Sequence, residues 1–152
     1  MSKIEIRPIR NEEIAQAVGI IVGGSLTPDI EDLREIDSYG AAVAHTRSQL
    51  GDVLVASFDG ELIGVCQVLI FRHFQHVGEW CAEVESMHVR ADWRSKGVGQ
   101  QLLAAAEALA RQRGCYRIQL TSNNVRSDAH RFYVANGYNQ GHLGFKKILV
   151  QT

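Results

Sequence analysis

The chain has 152 residues, 45% of them hydrophobic and 22% charged, which suits one domain (1–152) built around one sizeable core. A net charge of −1 leaves no overall excess of Lys and Arg of the kind a nucleic-acid-binding face needs, although Arg90, Arg94 and Lys96 cluster. No apolar run approaches the roughly 20 residues of a membrane span, so neither nucleic acid nor membrane is expected as a partner.

Lys3 to Ile9 alternates Ile4, Ile6 and Ile9 with charges and reads as a strand ending at an edge near Pro8. Asn11-Glu-Glu-Ile opens a helix with acids in its first turn. That helix should run to about Val22 and stop at Gly23-Gly24. A loop with Pro28 leads to a second helical region, Glu31 to Leu50, with a break expected near Gly40. Asp52 to Phe58 and Glu61 to Phe71 are strands joined by Asp59-Gly60, a strong hairpin signal.

His73 to Gly78 is a connection, and Trp80 to Val89 is the next strand. Val98 to Arg113 is a helix with an apolar stripe of Val98, Leu102, Leu103, Ala106, Leu109 and Ala110, capped by Gly114. Tyr116 to Thr121 is a strand, and Ser127 to Asn136 a short helix ending at Gly137. Tyr138 to Val150 is expected to form one or two strands interrupted at Gly141. The order β-α-α-β-β-β-α-β-α-β(β) predicts an α/β fold: a mixed, mostly antiparallel sheet with helices on both faces.

Cys66, Cys81 and Cys115 match no zinc or redox spacing. An odd count without a secretory signal pattern points to a reducing cytoplasm, with the three as small core residues. The six histidines form no His-x-x-x-His pair and no Cys/His cluster, so no metal site is expected. His73 and His76 are polar surface, or else line an acceptor mouth or hold a divalent ion.

The stretch richest in chemistry is Arg94-Ser-Lys-Gly-Val-Gly99. It lies between a strand and an amphipathic helix. Two glycines let the backbone turn tightly and approach a ligand, and the first amides of the helix then point at whatever sits there. That suits phosphate. It is neither a dinucleotide Gly-x-Gly-x-x-Gly nor a Walker loop. Downstream, Phe132-Tyr133-x-x-x-Gly137-Tyr138 puts an aromatic pair on a short helix. Read alone, Tyr133 is as readily a core aromatic. Glu83 and Glu85 stand at spacing two on one strand and share a face. They are either a solvated edge or a pair of carboxylates set beside a reacting amine.

The two motifs together, in this order and about 35 residues apart, resemble the GNAT superfamily of acetyl-CoA-dependent N-acetyltransferases. The resemblance runs from Ile4 to the C-terminus and is weakest over 11–50. Within the superfamily the chain is most similar to bacterial aminoalkylphosphonate N-acetyltransferases. His76-Val77, Glu83-Val-Glu, Gly97-Val-Gly, Asp128-Ala-His-Arg-Phe-Tyr133 and Phe145-Lys-Lys-Ile-Leu149 carry that likeness.

The resemblance implies a sheet splayed between the strand ending at Val89 and the strand Tyr116–Thr121. Amides of Ser95, Lys96, Gly97, Val98, Gly99 and Gln100 would cradle the pyrophosphate of acetyl-CoA, with Arg94 adding charge. Backbone groups of Met87, His88 and Val89 would bond the pantetheine. Asn123 and Phe132 match positions beside the coenzyme arm. Tyr133 matches the tyrosine that protonates the leaving thiolate. Glu85 matches the acid several small-molecule members carry, whereas the aminoalkylphosphonate type has glutamine there and keeps the equivalent of Glu83, so the base stays open between the two.

The implied activity is direct acetyl transfer to a primary amine of a small molecule, with an aminoalkylphosphonate as the suggested acceptor. A protein or peptide acetyltransferase and a regulatory coenzyme-A-binding domain are the alternatives. Dimers are common among domains that resemble this one.

Overall fold

A computed structural model describes residues 2–150; Met1, Gln151 and Thr152, the ends of the expected domain, lie outside the described residues. The chain divides into two compact units, 1–120 and 121–152.

The first unit is a five-stranded sheet with three helices. Its elements are β1 (Glu5–Pro8), α1 (Ile14–Gly24), α2 (Ile36–Ser48), β2 (Asp52–Phe58), β3 (Glu61–Arg72), β4 (Trp80–Val89), α3 (Val98–Gln112) and β5 (Cys115–Leu120). The strands lie in the order β1-β2-β3-β4-β5. The first three pairings are antiparallel, and β4 and β5 are parallel across the α3 crossover. This is the mixed, mostly antiparallel sheet expected from the element order.

The hairpin forms where Asp59-Gly60 predicts it. Both residues take positive φ, 49° and 83°, as a two-residue turn matching strand twist requires. One helical turn of 3-10 type, Asn11–Glu13, precedes α1. Another, Leu33–Glu35, precedes α2, with the Asp32 side chain accepting from the Arg34 amide. The break expected at Gly40 does not occur. The nearest atom to a Cβ there would be Ile14 Cδ1 at 3.8 Å, so Gly40 gives α2 a close but unstrained seat against α1.

The two sheet faces are filled differently. On one, Val55, Leu62 and Val65 pack with Ile14, Ala17, Val18 and Ile20 of α1 and Val43 of α2. On the other, α3 buries Val98, Leu102, Leu103, Ala106 and Ala110, the stripe its periodicity predicts, with Leu109 half-buried at its margin. Gly64 sets how closely α3 approaches. A Cβ there would stand 2.9 Å from Leu102 Cδ1 and 3.2 Å from Val98 Cγ1. Gly64 thus lets the start of α3 lie on β3.

The second unit contains α4 (Ser127–Ala135), closed by Gly137 at φ 90°. The strands expected in Tyr138–Val150 are absent: no described residue of 138–150 is in a strand. Phe145 is 90% exposed and Leu149 87%, so these apolar side chains gain no burial that would hold a strand. An extended run without a ladder partner has no backbone hydrogen bonds to hold it as a strand. Phe145-Lys-Lys-Ile-Leu also lacks the strict alternation that a half-buried strand needs.

Candidate active site

β4 organises the site. Its register places Glu83 opposite Leu69 and Glu85 opposite Gln67, so both carboxylates rise from the face that carries α1 and α2. Just beyond, Val65 pairs with His88, so β4 holds one residue more than β3 over this interval. Ser86 absorbs the insertion at φ 51°. This β-bulge bends the strand and returns His88 to the same face as the two acids. No feature of the sequence marks it, because serine rather than glycine takes the left-handed position.

On its other side β4 pairs with β5 only as far as Val84 and Leu120. β4 runs on to Val89 past this last rung. The end of pairing agrees with the splay implied by the resemblance. It falls just before the segment Met87, His88 and Val89.

The turn after β4 is anchored on two side chains. Arg90 donates to both oxygens of Asp92 (2.7 and 3.0 Å) and to Glu61 Oε2 (3.2 Å), while its amide bonds Ile63 O. The guanidinium holds the Asp92 carboxyl below its ordinary pKa. Trp93 stacks at 4.8 Å from Phe58, and Lys96 Nζ lies 5.2 Å from the Trp93 ring centroid. Arg94 Nε bonds Val89 O at 3.2 Å, so one acceptor position of that carbonyl is taken by the turn itself.

Ser95 (φ 59°) and Gly97 (φ 80°) then reverse the chain into α3. The first α-type bond there runs from Gln101 N–H to Gly97 O, so the amides of Val98, Gly99 and Gln100 have no acceptor inside the helix. A Cβ on Gly97 would meet no atom within 4 Å. Donors, open space and the cations Arg94 and Lys96 fit a phosphate group.

α1 ends against this assembly. A Cβ on Gly24 would stand 2.6 Å from His88 Nδ1 and 3.4 Å from Arg94 Nη2. Beside it lies a cavity of about 310 Å³ lined by Gln16, Gly19 and Gly23 of α1, by Leu62, and by Val89 to Ala91 and Arg94. The small residues of α1 leave this space next to the end of β4.

The remaining predicted residues belong to the second unit. Phe132 and Tyr133 meet edge to face at 5.2 Å, and Tyr133 and Tyr138 at 5.9 Å. Asn123 Oδ1 accepts from the Val125 amide, and His130 Nε2 lies 2.9 Å from Asn123 O. His130 thus closes the loop before α4.

Away from the acids, His73 and His76 meet edge to face at 5.2 Å, and Arg117 Nη2 lies 2.9 Å from His73 Nε2. Desolvation and the neighbouring Arg117 and His76 lower the His73 pKa. Among the described residues no group of three or more His, Cys, Asp and Glu could hold a metal. One contact escaped sequence reasoning: Gln119 Nε2 donates to Glu83 Oε2 at 2.8 Å. A polar residue on a core-facing strand position was its only signal.

A model of the acetyltransferase (GNAT) family matches residues 21–138. The chain is 40% identical over 91 residues to an aminoalkylphosphonate N-acetyltransferase of Salmonella typhimurium, a match covering 60% of this chain and 58% of that enzyme. It is 32% identical to an aminoglycoside N(6')-acetyltransferase type 1 of Stenotrophomonas maltophilia, over 76% of this chain and 74% of the other. A crystal structure described as a transcriptional regulator from Bacillus halodurans superposes with a TM-score of 0.89 at 29% identity, over 97% of this chain and all of that one. With the family model matching most of its length, the chain belongs to the acetyltransferase (GNAT) family.

Proposed function

We propose that the chain acts as one N-acetyltransferase domain that transfers acetyl from acetyl-CoA to a primary amine of a small molecule. The observation that carries the reading is the stretch 83–100. It joins two carboxylates on one face, a strand running past its last rung and a turn of unsatisfied amides. Acetyl-CoA supplies the acetyl group as a thioester. Amides of Ser95 to Gln100 hold its pyrophosphate, and backbone groups of Met87, His88 and Val89 take the pantetheine. An N–H near Val89 polarises the thioester carbonyl. Glu83 and Glu85 receive the ammonium proton, directly or through water, so that the amine attacks: the N–C bond forms as the C–S bond breaks. Tyr133 gives a proton to the leaving thiolate, and Asn123 and Phe132 flank the coenzyme arm, roles taken from the family resemblance. No acyl-enzyme enters the scheme. Burial pushes the Cys66 thiol up to about 12, far from a reactive thiolate.

The acceptor we put first is an aminoalkylphosphonate, on the likeness to the Salmonella enzyme. Three free cysteines accord with a reducing compartment, and we place the enzyme in the cytoplasm. No described helix is long and apolar enough to cross a membrane. A second reading, a regulatory coenzyme-A-binding domain, draws on the Bacillus halodurans structure described as a transcriptional regulator. A panel of aminoalkylphosphonates, aminoglycosides, polyamines, amino acids and peptides, followed by release of free thiol, separates the two. Turnover of one amine class, abolished in Tyr133→Phe with acetyl-CoA affinity unchanged, is expected. Tight acetyl-CoA binding with no turnover of any amine would favour the regulatory domain, and flat rates would remove the aminoalkylphosphonate.

A further inference from the structure

We propose that Gln119 is a positioning residue that holds the Glu83 carboxylate for the acceptor amine; the inference rests on the reading of Glu83 as a proton acceptor. Gln119 is the register partner of Glu83 across the parallel ladder, and the two half-buried side chains share a face. Its Nε2 donates to Glu83 Oε2 at 2.8 Å. On the other side, the Cys81 sulfur lies 3.6 Å from Ala82 O and 3.8 Å from Gln119 Oε1, and Cys81 is fully buried.

The carboxylate, which only accepts, fixes the sense of the amide. With Oε1 facing sulfur, the NH2 faces the carboxylate; the flipped amide would set a carbonyl against it. Gln119 therefore occupies one oxygen of Glu83 and leaves the other, Oε1, without a hydrogen-bond partner among the described residues. Glu85 lies past the last β4–β5 rung, where β5 supplies no counterpart of Gln119. The sheet itself builds the orientation of Glu83.

The charged and titratable groups around Glu83 are few. β4 contributes Glu85, His88 and Cys81, and β5 contributes Arg117. β3 sets Leu69 and Gln67 opposite, and α1 carries no charged residue. Removing the amide donor thus acts chiefly on Glu83.

The test uses the full chain with its best acceptor amine. Gln119→Leu is expected to lower kcat/KM for the amine roughly 10-fold or more, the scale of one hydrogen bond to a charged group. The KM for acetyl-CoA and the thermal midpoint should stay near wild type. Gln119→Asn, a shorter donor, should recover part of the loss. In a Glu83→Gln background the leucine change should add nothing. Wild-type kcat/KM for the amine in Gln119→Leu while Glu83→Gln is slow overturns the proposal alone. Wild-type turnover in Glu83→Gln overturns the proposal together with the assignment of Glu83 as base.

Discussion

Glu83, Glu85 and His88 reach one face only because Ser86 takes up an extra residue at positive φ. Alternation alone makes Glu83 and Glu85 neighbours, and that much is legible in Glu83-Val-Glu. The bulge is not, since a left-handed serine leaves no trace in the residue order. Gln119 was equally silent: an amide in a strand belongs to no motif, and its meaning comes from the rung that sets it beside an acid. The cysteines were easier to read. Cys66 and Cys81 are fully buried and Cys115 partly so. With burial holding the Cys66 thiol up to about 12, native protein treated with iodoacetamide near neutral pH should keep Cys66 unmodified and retain turnover, as peptide mass mapping and a thiol-release assay would show. Loss of activity tracking Cys66 alkylation would contradict both the burial and the direct-attack scheme.

At the level of elements, β2, β3, β4 and α3 follow from periodicity and turn chemistry, because each carries its own pattern: alternation, Asp59-Gly60, a 3.6-residue stripe. The C-terminal segment does not follow. A strand exists only with a partner, and nothing in Tyr138–Val150 specifies one. Gly64 shows how two well-read elements can still depend on an unread contact. Its missing side chain is the space that Leu102 and Val98 occupy as α3 meets β3. Gly64→Ala should destabilise the chain by about 1–3 kcal/mol, the usual cost of overfilling a packed interface. Because α3 begins at the amide-lined turn, the same change should weaken acetyl-CoA binding. Urea unfolding and a coenzyme titration would check both. A stable variant with normal coenzyme affinity would mean that α3 can shift without moving its first turn.

For the molecule as a whole, the acid limit of stability is set near β1. Arg7 grips Glu13 with two hydrogen bonds, 2.6 and 2.8 Å, and both side chains are largely shielded. The Arg7 bond, more than any other influence, holds the Glu13 carboxyl down to about 2. A depressed acid contributes stability that is complete above its unfolded pKa and fades as pH falls through the folded one. The pair should therefore lose its contribution, about 3 kcal/mol at most, as pH drops from about 4.5 toward 2. Denaturant midpoints measured across that window should fall in wild type and flatten in Glu13→Gln, with an unchanged slope in denaturant. A wild-type curve parallel to the variant's would assign acid unfolding to other carboxylates.

The stretch 83–100 has one more consequence. Because the acids and the amide turn lie on one uninterrupted piece of backbone, their separation is written into the strand and its bulge rather than negotiated between distant segments. The walls along that stretch come from elsewhere in the chain: Gln16, Gly19 and Gly23 line the cavity beside it. Substitutions on that helix face can redraw the room for a ligand while the span between the two carboxylates and the amide-lined turn stays constant. In the proposed reaction, such an arrangement makes the donor half a fixed ruler, and leaves the choice of acceptor free to drift.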